Sequence, residues 1–197
     1  MTDIILASGS PRRKELLKQM NVPFTVIVSE ADESLSAPMP PEETVKALAV
    51  LKAEAVAKNH ENSIVIGADT IVALDGNILG KPKDRRDAER MLVQLSGREH
   101  SVYTGVAMVK GKQKHVFYQK TNVTFWELSH EEIAAYLDSG EPFDKAGAYG
   151  IQGLGAAFVK HISGDYFSVV GLPIASVYRQ LKRFGWNGPA CSSSSQK

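Results

Sequence analysis

The sequence predicts an α/β fold. A short apolar run, Ile4-Ile5-Leu6-Ala7, reads as an opening strand and passes directly into a helical pattern. A second continuous apolar run, Ser63-Ile-Val-Ile-Gly-Ala68, has the texture of a strand buried on both faces. Between them lies a stretch from Glu42 to His60 without Gly or Pro, rich in Ala, Lys, Glu and Leu, as a long helix requires. Strands alternating with helices in this way build a sheet with helices packed on it.

The elements follow in order. After the first strand, Ser10 is a suitable N-cap and Pro11 suits the first helical position. Leu16, Leu17 and Met20 then share a face. Arg12, Arg13 and Lys14 fall at the positive end of the helix dipole, where carboxylates are favoured. Free N–H groups and two arginines at a strand-to-helix turn suit an anion such as phosphate; a surface turn with solvated cations is the alternative. Phe24 to Val28 reads as a strand. The loop after it carries Glu30, Asp32 and Glu33 and runs into the Pro-rich Ala37-Pro-Met-Pro-Pro41. In the long helix the stripe of Val45, Leu48, Ala49, Ala55 and Val56 includes Lys52, so a cation falls on the buried side. It either snorkels to the edge of the core or points into a cleft.

Asp69-Thr70 interrupts two apolar strand segments, and a carboxylate so placed needs a metal, a cation or backbone donors. Asp75-Gly76 signals a hairpin turn. Gly80-Lys81-Pro82 adds a further cation in a loop that is not a Walker motif. Asp84 to Ser96 is an amphipathic helix closed by Gly97, and His100 to Lys110 and Lys114 to Trp126 read as long strands joined at Gly111. Ser129-His-Glu-Glu132 is a capping box opening a helix that places Ile133, Tyr136 and Leu137 on one side. From Pro142 to Gly155 glycines mix with Asp144, Lys145, Tyr149 and Gln152 and with residues that want burial; an ordered loop lining a pocket fits this better than a linker. Ala157 to Ile162 and Tyr166 to Val170 are expected to form a hairpin about Ser163-Gly-Asp165. A last helix runs from Ile174 to Phe184. The expected organisation is one domain over 1–186 and a disordered Ser-rich tail over 187–197.

Composition limits the functions open to the chain. The net charge of +1 over 197 residues gives no global field for nucleic acid or anionic membrane. No apolar run approaches a membrane span, and the start lacks the pattern of a signal peptide. Cys191 is the only cysteine, which excludes an internal disulfide or thiolate metal cluster, and it reads as incidental. These features favour a cytoplasmic protein without a membrane partner. The residues out of keeping with mere structure are Arg12, Arg13, Lys52, Lys81 and Lys145 with Glu33, Asp69, Asp144 and Gln152. Cations that hold phosphates, with carboxylates that hold Mg²⁺ or orient water, are what polyphosphate chemistry needs.

Ser8-Gly-Ser-Pro-Arg-Arg-Lys-Glu-Leu-Leu17, Gly67-Ala-Asp-Thr-Ile-Val72, Gly80-Lys-Pro82, Tyr103-Thr-Gly105 and Asp144-Lys-Ala-Gly-Ala-Tyr-Gly-Ile-Gln-Gly153 together resemble the Maf family, collinearly from Ile4 to about Phe184. The resemblance implies an inosine-triphosphatase-like fold, a long mixed sheet flanked by helices with two lobes around a cleft. It implies a house-cleaning pyrophosphatase that splits a nucleoside triphosphate into monophosphate and pyrophosphate. It places the catalytic carboxylate on Asp69, phosphate binding on Ser8, Arg13, Lys52 and Lys81, and the acidic metal-side position on Glu33. Arg12, Thr70 and Gln152 resemble the specificity positions of the branch acting on dTTP, UTP and some modified pyrimidine nucleotides. The mechanism expected from this set has a divalent cation, Mg²⁺ or Mn²⁺, between phosphate oxygens and one or both of Asp69 and Glu33; a homodimer is a family-level expectation. The alternatives are another base specificity, such as 7-methyl-GTP or a purine triphosphate, and a non-enzymatic role in arrest of septum formation through a partner or nucleic acid. The neutral charge and the lack of an aromatic–basic stripe argue against broad nucleic-acid binding.

Overall fold

The computed structural model describes residues 3–35 and 37–188. The expected tail and Cys191 fall largely outside them, from residue 189 onward. The described residues form seven strands in one mixed sheet and six α-helices. In chain order they are β1 (Ile4–Leu6), α1 (Pro11–Gln19), β2 (Thr25–Val26), α2 (Pro41–Ala57), β3 (Ile64–Leu74), β4 (Asn77–Leu79), α3 (Arg85–Leu95), β5 (Glu99–Lys110), β6 (Gln113–Phe125), α4 (His130–Asp138), β7 (Val159–Ser163), α5 (Tyr166–Val170) and α6 (Ile174–Arg183). The sheet order is β2-β1-β3-β5-β6-β7, with β4 paired to β3. β1 runs parallel to β2 and β3, and the remaining pairs are antiparallel.

Most expected elements appear, with shorter ends. The second strand keeps only Thr25 and Val26 of its five anticipated residues. β3 is one unbroken strand, so Asp69 lies mid-strand rather than at a strand end. Asp75 and Gly76 both take positive φ (52° and 79°), the conformation a type I′ hairpin turn requires. The capping box at Ser129 and Glu132 is formed. One expectation fails: β7 does not form a hairpin with a following strand, because residues 166–170 are helical. Aromatic and β-branched residues favour a strand there. Asp165 instead accepts the Phe167 N–H at 2.9 Å and caps a short helix, which buries Val170 and Ser168.

Period-two alternation sorts the sheet faces. Ile4, Leu6, Ile64, Ile66 and Met108 pack with Leu16 and Leu17 of α1 and Val177 and Leu181 of α6. Ile5, Val65, Ala107 and Val109 pack under Ala49, Ala53 and Val56 of α2. A third cluster gathers α3, α4, Val72, Val102 and Phe125 at the other end of β3. The α2 stripe therefore runs through Ala53 rather than the half-buried Ala55. Two glycines set how closely α2 sits. A Cβ added at Gly67 would lie 2.3 Å from the Ala49 carbonyl and 2.7 Å from Ala53 N, and one at Gly105 would lie 2.3 Å from the Val45 carbonyl. The helix backbone rests directly on the sheet at both points.

Candidate active site

That close seat positions the first pair of functional side chains. Asp69 is two residues beyond Gly67, on the same face of β3, and pairs across to Gly105 on β5. With no side chain at either neighbour, α2 lies low enough for Lys52 to reach Asp69. Lys52 Nζ is 2.7 Å from Asp69 Oδ1 and 3.2 Å from Glu33 Oε1. The side chains of Lys52 and Asp69 are only 13% and 14% exposed, whereas Glu33, on the acidic loop, is 57% exposed. Asp69 Oδ2 makes no hydrogen bond among the described residues. Two carboxylates thus converge on one cation, and one carboxylate oxygen stays free.

On the opposite face of the same strand, Thr70 meets the α1 start. Ser10 caps α1 and accepts from Arg13 N at 3.5 Å, and no carboxylate occupies the first turn, so the charge conflict at the helix start is built in. Arg13 turns inward. Its Nε donates to the Gly171 carbonyl at 2.8 Å, Nη1 to Ser8 Oγ at 3.1 Å and Nη2 to Thr70 Oγ1 at 3.1 Å. One N–H remains on each terminal nitrogen. Burial lowers the Arg13 pKa, with Asp69 acting against that shift; a guanidinium nonetheless stays charged. Thr70 Oγ1 lies 2.8 Å from Thr104 Oγ1, which donates to the Ser168 carbonyl at 2.7 Å, and Ser168 Oγ lies 2.9 Å from Thr121 Oγ1. A file of buried hydroxyls therefore backs Arg13 across the sheet.

The glycine-rich segment forms the facing wall. Gly147 (φ 69°) packs on Val72 and donates to the Gly80 carbonyl at 3.1 Å, joining this segment to the Lys81 loop. Asp144 pairs with Lys145 at 2.6 Å and reaches Arg12 at 3.7 Å. Burial works against ionisation of Asp144, but Lys145 and Arg12 hold its pKa below the ordinary carboxylate value. Tyr149, also on this wall, has its hydroxyl 2.7 Å from His100 Nε2 beneath the cavity, and burial pushes its phenol pKa upward.

These walls enclose a cavity of about 550 Å³. Ser8, Arg12, Arg13, Glu33, Lys52, Asp69, Thr70, Lys81 and Gln152, which the sequence singled out from separate segments, all line it. Lys145 and Asp144 do so as well. Sequence reasoning met Thr104 only inside the Tyr103-Thr-Gly105 motif and gave it no role, and it missed Ser168, Tyr136 and Glu141. Neither hydroxyl carries a chemical signal of its own, since threonine is ordinary in a strand and Ser168 fell in a segment read as one. Tyr136 was visible only as part of an apolar stripe.

The donor set also suits a divalent cation. Asp69 and Glu33 are hard oxygen ligands gathered around the Lys52 ammonium, and Mg²⁺ commonly takes one or two carboxylates together with substrate phosphate oxygens. No group of three or more His, Cys, Asp or Glu forms a self-sufficient metal site among the described residues, so phosphate and water oxygens would have to complete the shell.

Comparison with known proteins places the chain in a family. The family model described as "Maf-like protein" matches residues 3–184. The chain is 60% identical over 184 residues to a protein of Bacillus cytotoxicus named dTTP/UTP pyrophosphatase, covering 93% of this chain and 96% of that one. Proteins of the same name from Bacillus mycoides and Bacillus anthracis are 57% identical over the same coverage. Among solved structures, the Ham1 protein of Staphylococcus aureus aligns with a TM-score of 0.46 at 21% identity, over 63% of this chain and 72% of that one. With the family model spanning residues 3–184 and a relative of 60% identity matched over 96% of its length, the chain belongs to the Maf-like protein family.

Proposed function

We propose that this protein is a nucleoside triphosphate pyrophosphatase that hydrolyses dTTP and UTP, and modified pyrimidine nucleotides of the same class, to the monophosphate and pyrophosphate. The observation that carries this reading is the pairing of Asp69 with Lys52 inside a cavity also lined by Arg12, Arg13 and Lys81. The names of the close relatives support the same substrate class.

In this reading Arg12, Lys81 and the remaining N–H groups of Arg13 bind the phosphates, with Ser8 bracing Arg13. Asp69 Oδ2, left free while Oδ1 is held by Lys52, accepts the proton of a water that attacks the α-phosphorus in line. The bond from the α-phosphorus to the α–β bridging oxygen breaks, and that oxygen leaves with pyrophosphate. Lys52 and Lys81 offset the charge developing there. Asp69 and Glu33 would hold Mg²⁺ or Mn²⁺, which when bound supplies further neutralisation of phosphate charge. Gln152 offers an amide donor and acceptor together, matching the O4/N3 edge of a pyrimidine.

The test is a panel of pyrimidine and purine triphosphates with Mg²⁺ or Mn²⁺, followed by pyrophosphate release. The expected result is preference for dTTP and UTP, activity that disappears with chelator, and restoration on metal addition. Absence of pyrophosphate release from any triphosphate, with the protein folded, refutes the reading.

A further inference from the structure

Gln152 stands exposed at the cavity wall in a segment with glycines at 150, 153 and 155. Such a backbone is too free to aim a side chain unless something holds it. Two side chains that line no part of the cavity do so. Tyr136 Oη, from α4, accepts the Gly150 N–H at 3.2 Å and donates to Glu141 Oε1 at 3.0 Å. Glu141 Oε2 accepts the Leu154 N–H at 3.0 Å, and Oε1 accepts the Gly155 N–H at 3.3 Å. One hydrogen-bonded pair thus ties both ends of the segment from 150 to 155, with Gln152 between them.

The glycines are shaped to this arrangement. Gly153 takes φ 67°, and a Cβ there would lie 2.7 Å from Glu141 Oε2. A Cβ at Gly155 would lie 2.9 Å from Tyr136 Oη and 2.3 Å from the Gly150 carbonyl. Burial opposes ionisation of Glu141, but the bonds from Leu154, Gly155 and Tyr136 outweigh it and hold its pKa below the usual value. The carboxylate is therefore in its accepting form at neutral pH. Tyr136 is fixed in turn by edge-on packing against Phe158 at 4.9 Å.

We propose that Glu141, braced by Tyr136, is a positioning residue that sets base selectivity by clamping the 150–155 segment so that Gln152 faces the nucleobase. The proposal rests on the base-reading role given to Gln152 above. Glu141 touches neither phosphate nor attacking water, so its loss acts on substrate binding and choice rather than on bond breaking.

The experiment compares Glu141→Gln, Tyr136→Phe, Gln152→Ala and the Glu141→Gln/Gln152→Ala double variant. Glu141→Gln preserves shape but replaces an accepting oxygen with an N–H₂ group, which cannot accept from the loop amides. Steady-state kinetics with UTP and a purine triphosphate are joined to amide hydrogen exchange at Leu154 and Gly155, and melting curves report folding. Glu141→Gln is expected to raise the UTP KM and lower the pyrimidine-to-purine ratio of kcat/KM by about tenfold each, with kcat held within about threefold. Exchange at Leu154 and Gly155 should speed up by about tenfold or more. Tyr136→Phe should act in the same direction, and the double variant should fall no further than Gln152→Ala alone. An unchanged ratio and unchanged exchange in Glu141→Gln, while Gln152→Ala lowers the ratio, overturns the clamp and leaves the base-reading role intact. An unchanged ratio in Gln152→Ala overturns the base-reading role, and the selectivity claimed for Glu141 with it.

Discussion

Replacing Gly67 by alanine tests whether the seat of α2 on the sheet sets the site. The new Cβ would stand 2.3 Å from the Ala49 carbonyl, and ordinary contact begins at 3.4 Å. The obstacle is helix backbone, so α2 must lift by about 1.1 Å at this point, since no side chain there can swing aside. Lys52 rides on the same turn. A full lift would carry its contact with Asp69 from 2.7 Å to about 3.8 Å, beyond hydrogen-bond range. Overpacking of this kind costs about 1–3 kcal/mol, against a gain of about 0.4–1 kcal/mol from the stiffer unfolded chain. For a domain of this size a net loss of up to about 2.6 kcal/mol lowers Tm by up to about 10 °C. Displacing a catalytic contact by about 1 Å costs roughly a hundredfold in rate. The assay is pyrophosphate release from UTP together with a melting curve. Gly105→Ala provides the comparison: it presses on Val45, two turns before Lys52, and should destabilise similarly while reducing kcat less. Wild-type kcat/KM and Tm in Gly67→Ala would refute the argument, as would equal kinetic losses in the two variants.

Three further outcomes are expected. Asp69→Asn should lower kcat by about a hundredfold or more with folding intact, because the amide cannot take the proton from water; turnover near wild type removes Asp69 as the base. Arg13→Lys should be far from conservative, since one ammonium cannot span Ser8, Thr70 and Gly171, and a loss of about 1–3 kcal/mol in urea unfolding is expected with a raised KM. His100 is buried against Phe125 and Tyr149, and burial depresses its pKa from 6.5 to about 4. The unfolded chain therefore binds a proton that the folded chain refuses. The neutral ring's contribution is complete above pH 6.5, declines as pH falls, and is lost by about pH 4, a difference of about 3 kcal/mol. Urea unfolding of the wild type and of His100→Phe at pH 7.5 and 4.5 checks this, and an identical pH dependence in both would refute it.

Some of the site was legible in the sequence because it broke local rules. Asp69 stood out as a carboxylate inside an apolar strand, and Lys52 as a cation on a buried helical stripe. Their pairing was not legible, since it depends on Gly105 lying opposite Asp69 and diagonal to Gly67, on strands nearly forty residues apart, a register that only the folded sheet creates. The segment 166–170 was misread because Tyr, Phe and Val favour strands, whereas an Asp165 cap and burial of Ser168 outweighed that preference. The error hid Ser168. Glu141 gave no signal at all: an acidic residue after a helix end is ordinary until its carboxylate is seen to collect two loop amides and a phenol.

The buried hydroxyls behind Arg13 also have a polarity. Thr104 gives its only O–H proton to the Ser168 carbonyl, so its contact with Thr70 must be one in which Thr70 donates. Thr70, having given up its proton, presents lone pairs to the guanidinium, as the Arg13 contact demands. The bond dipoles of Thr70 and Thr104 therefore point the same way, oxygen toward the cation and hydrogen along the file to the Ser168 carbonyl of α5. The fold carries a small oriented field that favours positive charge at the floor of the cavity. Thr70→Ser preserves its direction, whereas Thr70→Val removes the dipole nearest the cation and leaves Arg13 facing a methyl group.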